Sequence, residues 1–403
     1  MTISRGISKR IAYKKETTFG TPASGSGAKY LRRVTGGFNL TKDTYQSAEL
    51  RTDFMISDMR HGIRSVDGSL NGELSPGSYS DFMQSVIAKD FVVGGSSTGL
   101  SVTIAASGSL FTITRSAGSW LTDGFYVGNV VRMTGAGLNV ANVSNNALIV
   151  SMSATVLTVQ GLSATALVAE GPIASVAVAV PGKITYTPQT GHTDDSYTVE
   201  EFYSDIAQSE VFSGVKVGSM AMSLPTTGLV TCDFNFMGKD LAQTGTSQYF
   251  TSPTAASTSG IFASVSGAMV VNGIPVALIT SMDFTVERGL EAANVVGSNV
   301  NANVFTGKFQ VSGNFSTYFQ DGVYRDYFKD ETAISLIVAL STGTEKNAEV
   351  VTFSLPRVKI GSATKNDGEM GIVQDHSFTA LLNSTTSAGL APTTLLIQDS
   401  TVA

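Results

Sequence analysis

The chain contains few side chains whose type and spacing could support catalysis or metal binding. Its one cysteine is Cys232, and its three histidines, His61, His192 and His376, lie far apart in the sequence. A zinc site needs several Cys or His ligands at short, regular spacing, and no such set is present. Cys232 stands in the apolar, alternating run LVTCDFNF, which indicates a buried thiol and not a nucleophile.

The other polar clusters are better explained as turns or strands than as reaction centres. His192 precedes Asp194 in the run GHTDD, which is typical of a polar turn. The adjacent carboxylates at 194–195 and 200–201 would point to opposite faces of a strand, so they cannot act together on a substrate. The Gly-rich run at 23–28 is not followed by the strand–loop–helix arrangement with a lysine that a phosphate-binding loop requires. We therefore predict no catalytic residues, no cofactor and no metal ion, and hence a protein that is not an enzyme.

Composition favours a mainly β protein. Hydrophobic residues make up 42% of the 403 residues and charged residues only 14%, and there are 41 glycines. Such a sequence is typical of short strands joined by many turns. The formal net charge of −6 argues against a basic nucleic-acid-binding face, although a neutral or acidic wall would let nucleic acid slide past without retaining it. The N-terminal run MTISRGISKR has no apolar core, so we expect synthesis in a cytoplasm, followed by retention there or by release through other means than secretion.

A short motif occurs twice, as VKVGS at 215–219 and as VKIGS at 358–362. Predicted helices with apolar residues at helical spacing, SYSDFMQSVIAKD and DGVYRDYFKDE, occupy the same place before each copy. Ser78 is the predicted N-cap of the first helix. An alternating strand precedes each helix, and aligning these two strands pairs Gly72 with Gly313.

These repeated features predict a duplicated unit with the order strand, long loop, strand, helix and three strands. The first copy is interrupted by a segment that is predicted to form a small all-β domain of its own. The predicted organisation is an N-terminal arm at 1–27, a first unit at 28–91 and 182–241, the insert at 92–181, a linker at 242–262, a second unit at 263–395 and a C-terminal tail at 396–403. In the second unit, Asn272-Gly273 predicts a tight hairpin turn.

Four runs carry a resemblance to a known family: KRIAYKKETTFGTPA, YLRRVTGGFNLTKDTYQSAELRTD, RHGIRSVDGSLNGELSPGSYSDFMQ, and SYTVEEFYS followed by FSGVKVGSM. They resemble the major tail (tail tube) proteins of long-tailed, non-contractile bacteriophages. The resemblance covers 5–90 and 184–240, and the second unit follows the pattern more weakly. It implies a mainly β fold with two tandem β-sandwich or half-barrel units, each with one short helix, beside the inserted β-domain.

The resemblance also implies a structural protein of the virion that assembles with itself. Tail tube proteins form rings, and stacked rings make the hollow tube through which DNA passes to the host cell without being specifically bound. A chain with two units would form trimeric rings of pseudo-hexameric shape. Further expected partners are tail tip and tail terminator proteins and a tape-measure protein inside the lumen. The insert would lie on the tube exterior, where weak contact with the host surface is expected.

The loop at 41–64 is the predicted contact between rings or subunits. It is too apolar for a free loop of this length, and aromatic and Met side chains mixed with Arg are typical of interfaces. The candidate residues are Tyr45, Leu50, Arg51, Phe54, Met55, Met59 and Arg60. The sequence leaves open the alternative that this loop packs on its own domain.

A second class of function is a β-rich carbohydrate-binding or adhesin module of a phage or bacterial surface, with the insert as its binding face. An exposed aromatic cluster in the insert would favour it. The insert offers only Phe111, Trp120, Phe125 and Tyr126, which suffice for a small core and little else. The tail tube interpretation is therefore preferred.

Overall fold

The computed structural model describes residues 3–367, 369, 371–385 and 387–403, and it is mainly β, as predicted. No helix in these ranges is long and apolar enough to cross a membrane. Three single 3₁₀ turns lie at Gly6–Ser8, Ser264–Ser266 and Ser387–Gly389.

The N-terminal part of the chain contains strands, one helix and a closed barrel. Its first elements are β1 (Lys9–Lys15), β2 (Lys29–Tyr30), β3 (Thr35–Gln46), β4 (Met59–Glu73), α1 (Ser80–Ile87) and β5 (Val92–Val93). The next strands are β6 (Ser96–Ser107), β7 (Leu110–Arg115), β8 (Val130–Thr134), β9 (Ala147–Met152), β10 (Val156–Gly161) and β11 (Glu170–Ala179). These last strands close on themselves in the order β10-β7-β6-β11-β8-β9, which we call the barrel.

The remaining strands follow the barrel in the sequence. The chain continues with β12 (Lys183–Tyr186), β13 (Tyr197–Tyr203), β14 (Gln208–Leu224), β15 (Thr231–Gly238) and β16 (Asp240–Gly245). The second unit holds β17 (Gly267–Val271), β18 (Ile274–Pro275), β19 (Ile279–Glu287), β20 (Leu290–Ala293), β21 (Asn303–Thr306), β22 (Gln310–Tyr318), α2 (Val323–Lys329), β23 (Ile334–Ser341), β24 (Val350–Ile360), β25 (Thr364–Asn366) and β26 (Val373–Ala380), and β27 (Leu396–Asp399) follows. Asn272 and Gly273, both at positive φ, turn β17 into β18, which confirms the predicted hairpin.

One antiparallel sheet runs through both units in the order β3-β4-β15-β14-β19-β22-β26-β25, and we call it the shared sheet. Its strands alternate between buried and exposed side chains, as in β15, where buried Phe234 stands between exposed Asp233 and Asn235. One face therefore packs on the core and the other faces solvent. The pair β14–β19 joins the two units, with Met222 opposite Phe284.

A second layer covers the buried face of the shared sheet. In the first unit it runs β2-β1-β13-β14-β16, and in the second unit it runs β18-β17-β23-β24-β27 and continues through β12 to β5. Because β14 and β24 pair with strands of both layers, each bends from one sheet into the other. The apolar core between the layers is continuous through both units.

The repeated motif occupies the same place in the strand pairing of each unit. Val215, the first residue of VKVGS, lies opposite Tyr197 on β13, and Val358, the first residue of VKIGS, lies opposite Ile334 on β23. In both pairs the register shifts immediately after this position. The repeated sequence motif thus coincides with a β-bulge at the same place in both units.

Strand pairing corrects the alignment of the first alternating strands. Phe38 on β3 lies opposite Gly68 on β4, and Phe284 on β19 lies opposite Gly313 on β22. The counterpart of Gly313 is therefore Gly68, and the predicted match of Gly313 with Gly72 is wrong. The alternation of apolar and polar residues has a period of two, so a shift by an even number of residues leaves the sequence pattern unchanged.

The first helix begins later than its sequence predicts. α1 starts at Ser80 with Tyr79 at the N-cap position, so the predicted N-cap at Ser78 is wrong. Tyr79 is buried and its hydroxyl donates to the Arg32 carbonyl at 3.2 Å. Burial of this ring fixes where the first turn begins, and Gly72 makes room for it, since a Cβ there would lie 1.9 Å from the Tyr79 hydroxyl oxygen.

The barrel and the second unit share one apolar core. Ile337, Val350 and Leu396 of the second layer belong to the same buried cluster as the barrel interior. Buried Gln398 also bonds to the barrel like a strand neighbour: its Oε1 accepts from the Val130 N–H at 2.8 Å, and its Nε2 donates to the Val130 carbonyl at 3.1 Å. The insert thus interrupts the first unit in the sequence but packs against the second unit in the structure.

The segments predicted as arm, linker and tail are built into the fold. Within 1–27, β1 pairs with β13 and buries Ile11 and Tyr13. Within 242–262, Phe250 and Phe262 are buried. The residues predicted as a C-terminal tail form β27, which lies between β12 and β24. Each segment carries apolar side chains that would face water if it were free, and this is why it packs.

Candidate assembly surfaces

The solvent face of the shared sheet is polar, and we call it the polar face. In the first unit it comprises positions 37, 39 and 41 of β3, the odd positions 65–73 of β4, the odd positions 231–237 of β15, and positions 219, 221 and 223 of β14. In the second unit it comprises the odd positions 281–287 of β19, the even positions 310–318 of β22, positions 364 and 366 of β25, and the odd positions 373–379 of β26. Ser, Thr, Asn, Asp and Glu dominate this set. At its border with β24, Lys359 lies opposite Thr379 on the same face and pairs with Glu331 at 3.1 Å.

Hydrogen bonds between neighbouring strands order the side chains of the polar face. The Asn71 amide donates to the Asp233 carboxylate at 2.6 Å, and the Asn314 amide donates to the Asp283 carboxylate at 3.3 Å. The carboxylates of this face form no ion pair within the described part of the chain, so they contribute negative potential, which repels phosphate groups.

The predicted loop at 41–64 is mainly a two-stranded ribbon. β3 and β4 continue past the shared sheet with Tyr45 opposite Arg60, and the Ser47 N–H donates to the Asp58 carbonyl at 2.9 Å. Only the residues between them form a loop. The sequence did not show this ribbon, because its apolar residues cluster near the tip and do not alternate along its strands.

All seven predicted contact residues lie in this ribbon, and its apolar members are exposed. Leu50 is 100% exposed, Phe54 98% and Met55 70%, while Tyr45 and Met59 are 57% and 49% exposed. Leu50, Phe54 and Met55 thus do not pack on their own domain, whereas the Tyr45 ring lies against Gly62 of the same ribbon. A cluster of large apolar groups held away from the core is typical of a surface that meets another chain.

Ion pairs within the ribbon neutralise the charges of the two arginines among the predicted contact residues. The Arg51 guanidinium pairs with Asp53 at 2.7 Å, and the Arg60 guanidinium pairs with Asp58 at 2.8 Å. The hydrogen bonds from Arg51 lower the pKa of Asp53 below its ordinary value. The tip therefore presents apolar side chains with locally balanced charge.

A second, shorter hairpin rests against the base of the ribbon. β20 and β21 pair antiparallel. In the loop that joins them, the Asn299 carbonyl accepts from the Arg64 N–H at 2.9 Å. The Arg64 guanidinium also pairs with Asp240 at 2.8 Å. Val296 at the tip of this hairpin is fully exposed. The β20–β21 hairpin occupies the same place in the second unit as the ribbon does in the first.

The residues with potential chemistry are held in structural roles. Cys232 is buried, and burial raises the pKa of its thiol well above the ordinary value. Asp194 accepts from the Lys216 ammonium at 2.7 Å, and nearby His192 is exposed. Among the described residues, no group of three or more His, Cys, Asp or Glu could hold a metal ion.

The aromatic residues of the barrel form its core and not a binding platform. Trp120 and Phe125 are buried with their ring centroids 5.2 Å apart, and Phe111 and Tyr126 are half-buried. Carbohydrate-binding faces expose such rings, so this arrangement gives no support to an adhesin.

The shared sheet ends in two strands, each with one unpaired edge. Among the residues that the structure describes, β3 pairs only with β4, and β25 pairs only with β26. At the β3 edge, the Phe38 N–H donates to Glu201 at 2.9 Å, and the Lys9 ammonium donates to the Gly36 carbonyl at 3.0 Å. Lys9 and Glu201 themselves form an ion pair of 2.7 Å.

The β3 edge also carries a carboxylate without a cation. Glu210 lies directly opposite Glu201 on the neighbouring strand, and it forms no ion pair in the described part of the chain. The sequence had singled out Glu200-Glu201 only as carboxylates on opposite faces. They do face opposite ways: Glu200 accepts from the Phe250 N–H at 2.9 Å, and Glu201 reaches β3. Two charged residues inside an apolar strand were the available signal for this site.

Comparison with known families finds a match to the chain. A family model described as phage tail tube protein matches residues 6–380, which is nearly the whole chain. A search of the curated proteins finds no match to the chain.

Proposed function

The chain belongs to the phage tail tube protein family, a family of structural proteins of the phage tail, and on this premise we propose that copies of it close into rings whose stack encloses the DNA channel. The observation that carries this proposal is the polar face. It gives a continuous sheet a surface dominated by Ser, Thr, Asn and acidic side chains, and the lysine at its border, Lys359, is paired with Glu331. DNA would pass such a wall without being retained.

Three copies per ring fit the way in which the two units are joined. β14 of the first unit pairs with β19 of the second unit, so one chain already contains a junction between two similar sheets. The register at the repeated motif is the same in both units. Two units per chain in three chains would give a pseudo-hexameric ring, with closed symmetry pairing all sheet edges.

The ribbon tip is the proposed contact between successive rings. Its exposed apolar residues, Leu50, Phe54 and Met55, find no cover within the described chain. Burying these side chains against a second copy would remove apolar surface from water and would stabilise the stack. Tyr45, Arg51, Met59 and Arg60 complete this proposed site.

The barrel is proposed to lie on the exterior of the tube. It packs on β23, β24 and β27 of the second layer, and the shared sheet lies on the other side of the core. A surface in that position would be free to touch the host cell weakly. Tail tip, tail terminator and tape-measure proteins are the other proposed partners, at the ends and in the lumen of the tube.

Electron microscopy of the purified protein tests the proposal. We expect hollow rings, alone or stacked, and class averages with three copies of a two-unit chain. Rings with six chains would retain the tube and overturn the pseudo-hexamer. A chain that remains monomeric at every concentration and at every stage of virion assembly would overturn the proposed function.

A further inference from the structure

The internal junction of the chain shows how the edges of the shared sheet can pair. β14 and β19 pair antiparallel with Met222 opposite Phe284. β3 is the counterpart of β19, because Phe38 faces Gly68 as Phe284 faces Gly313. The unpaired edge of β3 therefore corresponds to the edge of β19 that β14 covers.

The other free edge is the counterpart of β14. Thr364 on β25 lies opposite Asp375, as Ala221 on β14 lies opposite Asp233. One residue further along, Lys365 takes the place that Met222 has in the first unit. Both edges that lack a partner are therefore counterparts of strands that pair with each other inside the chain.

The internal junction is apolar. Met222, Phe284, Val338 and Phe353 are all buried in one cluster, and the rings of Phe284 and Phe353 have centroids 5.5 Å apart. Val338 and Phe353 lie directly opposite each other on β23 and β24.

The free edges carry charges at the corresponding positions. Glu201 and Glu210 form the opposed pair that corresponds to Val338 and Phe353. Lys365 stands on the complementary edge, exposed on β25. Carboxylates on one edge and an ammonium on the other replace apolar groups that meet at the internal junction, so the two free edges are complementary in charge.

We propose that rings close by antiparallel pairing of β3 with β25 of a neighbouring copy, in the register of the β14–β19 pair. Phe38 then lies opposite Lys365, and the Lys365 ammonium lies beside Glu201 and Glu210. This inference rests on the ring assembly proposed above and adds which strands meet, in which register, and which charges select the partner.

The charges and hydrogen bonds at the β3 edge of the single chain agree with the proposed pairing of β3 with β25. Lys9 is the only cation that pairs with these carboxylates in the described chain. Burial, and then the charge of Glu201, raise the pKa of Glu210. A second cation from the neighbour would balance the second carboxylate. The incoming strand would replace the bonds that Lys9 and Glu201 make to the Gly36 carbonyl and the Phe38 N–H.

Cysteine cross-linking tests the register. The proposed pairing places Asn39 opposite Thr364, at the positions that Thr285 and Ala221 occupy in the internal junction. We expect Asn39→Cys/Thr364→Cys to form disulfides between chains in assembled rings, giving covalent dimers and trimers on a non-reducing gel. Ala221→Cys/Thr285→Cys is the matched control and should form the same bond within one chain. The native Cys232 is buried and does not compete.

Register variants separate this inference from the proposed function. Asn39→Cys/Asn366→Cys keeps both side chains on the polar face but shifts the pairing by two residues, and we expect at least ten-fold less cross-linking. Rings of the shifted variant that cross-link as well as rings of Asn39→Cys/Thr364→Cys would overturn the register. Intact rings of both variants without cross-links, while the internal control does cross-link, would overturn the pairing of β3 with β25 and leave ring assembly standing.

Charge reversal tests the selection of the partner edge. Lys365→Glu places a third carboxylate at the junction, and we expect it to reduce ring yield about ten-fold. The Lys365 ammonium lies 3.6 Å from the centroid of the Phe319 ring, so losing this exposed contact should lower the melting temperature of the monomer by at most a few degrees. Adding Glu210→Lys should restore the rings. Full assembly of Lys365→Glu alone, or no recovery in the double variant, would overturn the assigned role of these charges.

Discussion

Phe38 and Gly68 lie opposite each other on β3 and β4, and the Phe38 ring fills the space that a side chain on Gly68 would need. A Cβ on Gly68 would lie 2.3 Å from Phe38 Cδ1. Phe284 and Gly313 repeat the arrangement, and a Cβ on Gly313 would lie 2.2 Å from the Asp283 carbonyl oxygen. The glycines therefore let each sheet place an aromatic ring against its neighbouring strand.

We expect Gly68→Ala and Gly313→Ala each to lower the free energy of unfolding by about 1–3 kcal/mol, the usual cost of an added carbon in a packed site. Gly313→Ala should cost more, because it meets backbone and not a movable ring. Urea unfolding, followed by circular dichroism, measures both. Gly343→Ala is the matched control, since nothing lies within 4 Å of its added carbon. A change at Gly68 as small as at Gly343 would contradict the packing described.

Replacing Phe54 at the ribbon tip with Asp tests the contact between rings. We expect Phe54→Asp to leave rings intact and to shorten tubes at least several-fold, because a charge replaces an apolar group that is buried on stacking. Tube length in electron micrographs is the measurement. Val140→Asp, at a side chain of the barrel that is 76% exposed, makes the same chemical change elsewhere and should leave tube length unchanged. Equal lengths for all three proteins would reject the ribbon as a contact.

Adding cations to the polar face tests its role as a channel wall. Ser69→Lys and Asn314→Lys place ammonium groups at corresponding positions of the two units. We expect rings of this double variant to retain DNA at least ten-fold more than wild type in low salt, with retention falling steeply as salt rises. Val140→Lys/Val168→Lys adds the same charge to the barrel. If the barrel variant retains as much DNA, the polar face does not line the channel.

His376 makes stability depend on pH. It is buried, its ring stacks on Phe315 at a centroid distance of 4.8 Å, and burial lowers its pKa to about 4 from the ordinary 6.5. Since the unfolded chain takes up the proton more readily, this group reduces stability as pH falls from about 6.5 to about 4 and has no effect above that range. Thermal melts between pH 4 and 7.5 measure the slope.

A phenylalanine at this position should remove that slope. His376 pairs with Phe315 as Phe234 pairs with Leu70 in the first unit, so His376→Phe gives the second unit the residue type of the first. We expect a flatter melting temperature between pH 4 and 6.5. His192→Gln, at an exposed histidine, should keep the wild-type slope. An unchanged slope in His376→Phe would assign the pH dependence to other groups.

The sequence was sufficient to predict what depends on local pattern. Alternation and turn residues predict the strands, and the Asn272-Gly273 turn and the two helices lie where their residues place them. The family follows from runs of residues and needs no geometry. The apolar segment at 41–64 stood out by composition alone, which is why its residues could be named before its shape was known.

The rest depends on contacts between distant residues. The period of two in a strand allows Gly313 to align with Gly72 or with Gly68, and only the facing phenylalanines decide. The C-terminal strand β27 reads as a tail because its partners, β12 and β24, are far away in sequence. Glu210 and Lys365 become noteworthy only when their counterparts in the other unit are known.

The way in which the barrel is connected bears on the order of events during synthesis. The Val180 N–H donates to the Gly95 carbonyl at 2.9 Å, so the barrel begins and ends at one point and its strands pair only with each other. It can fold while the ribosome is still translating the second unit. The strand that covers its apolar side, β27, emerges last, on the order of ten to forty seconds later at ordinary elongation rates. During that interval the apolar side of the barrel that β27 covers in the finished fold lies open to water.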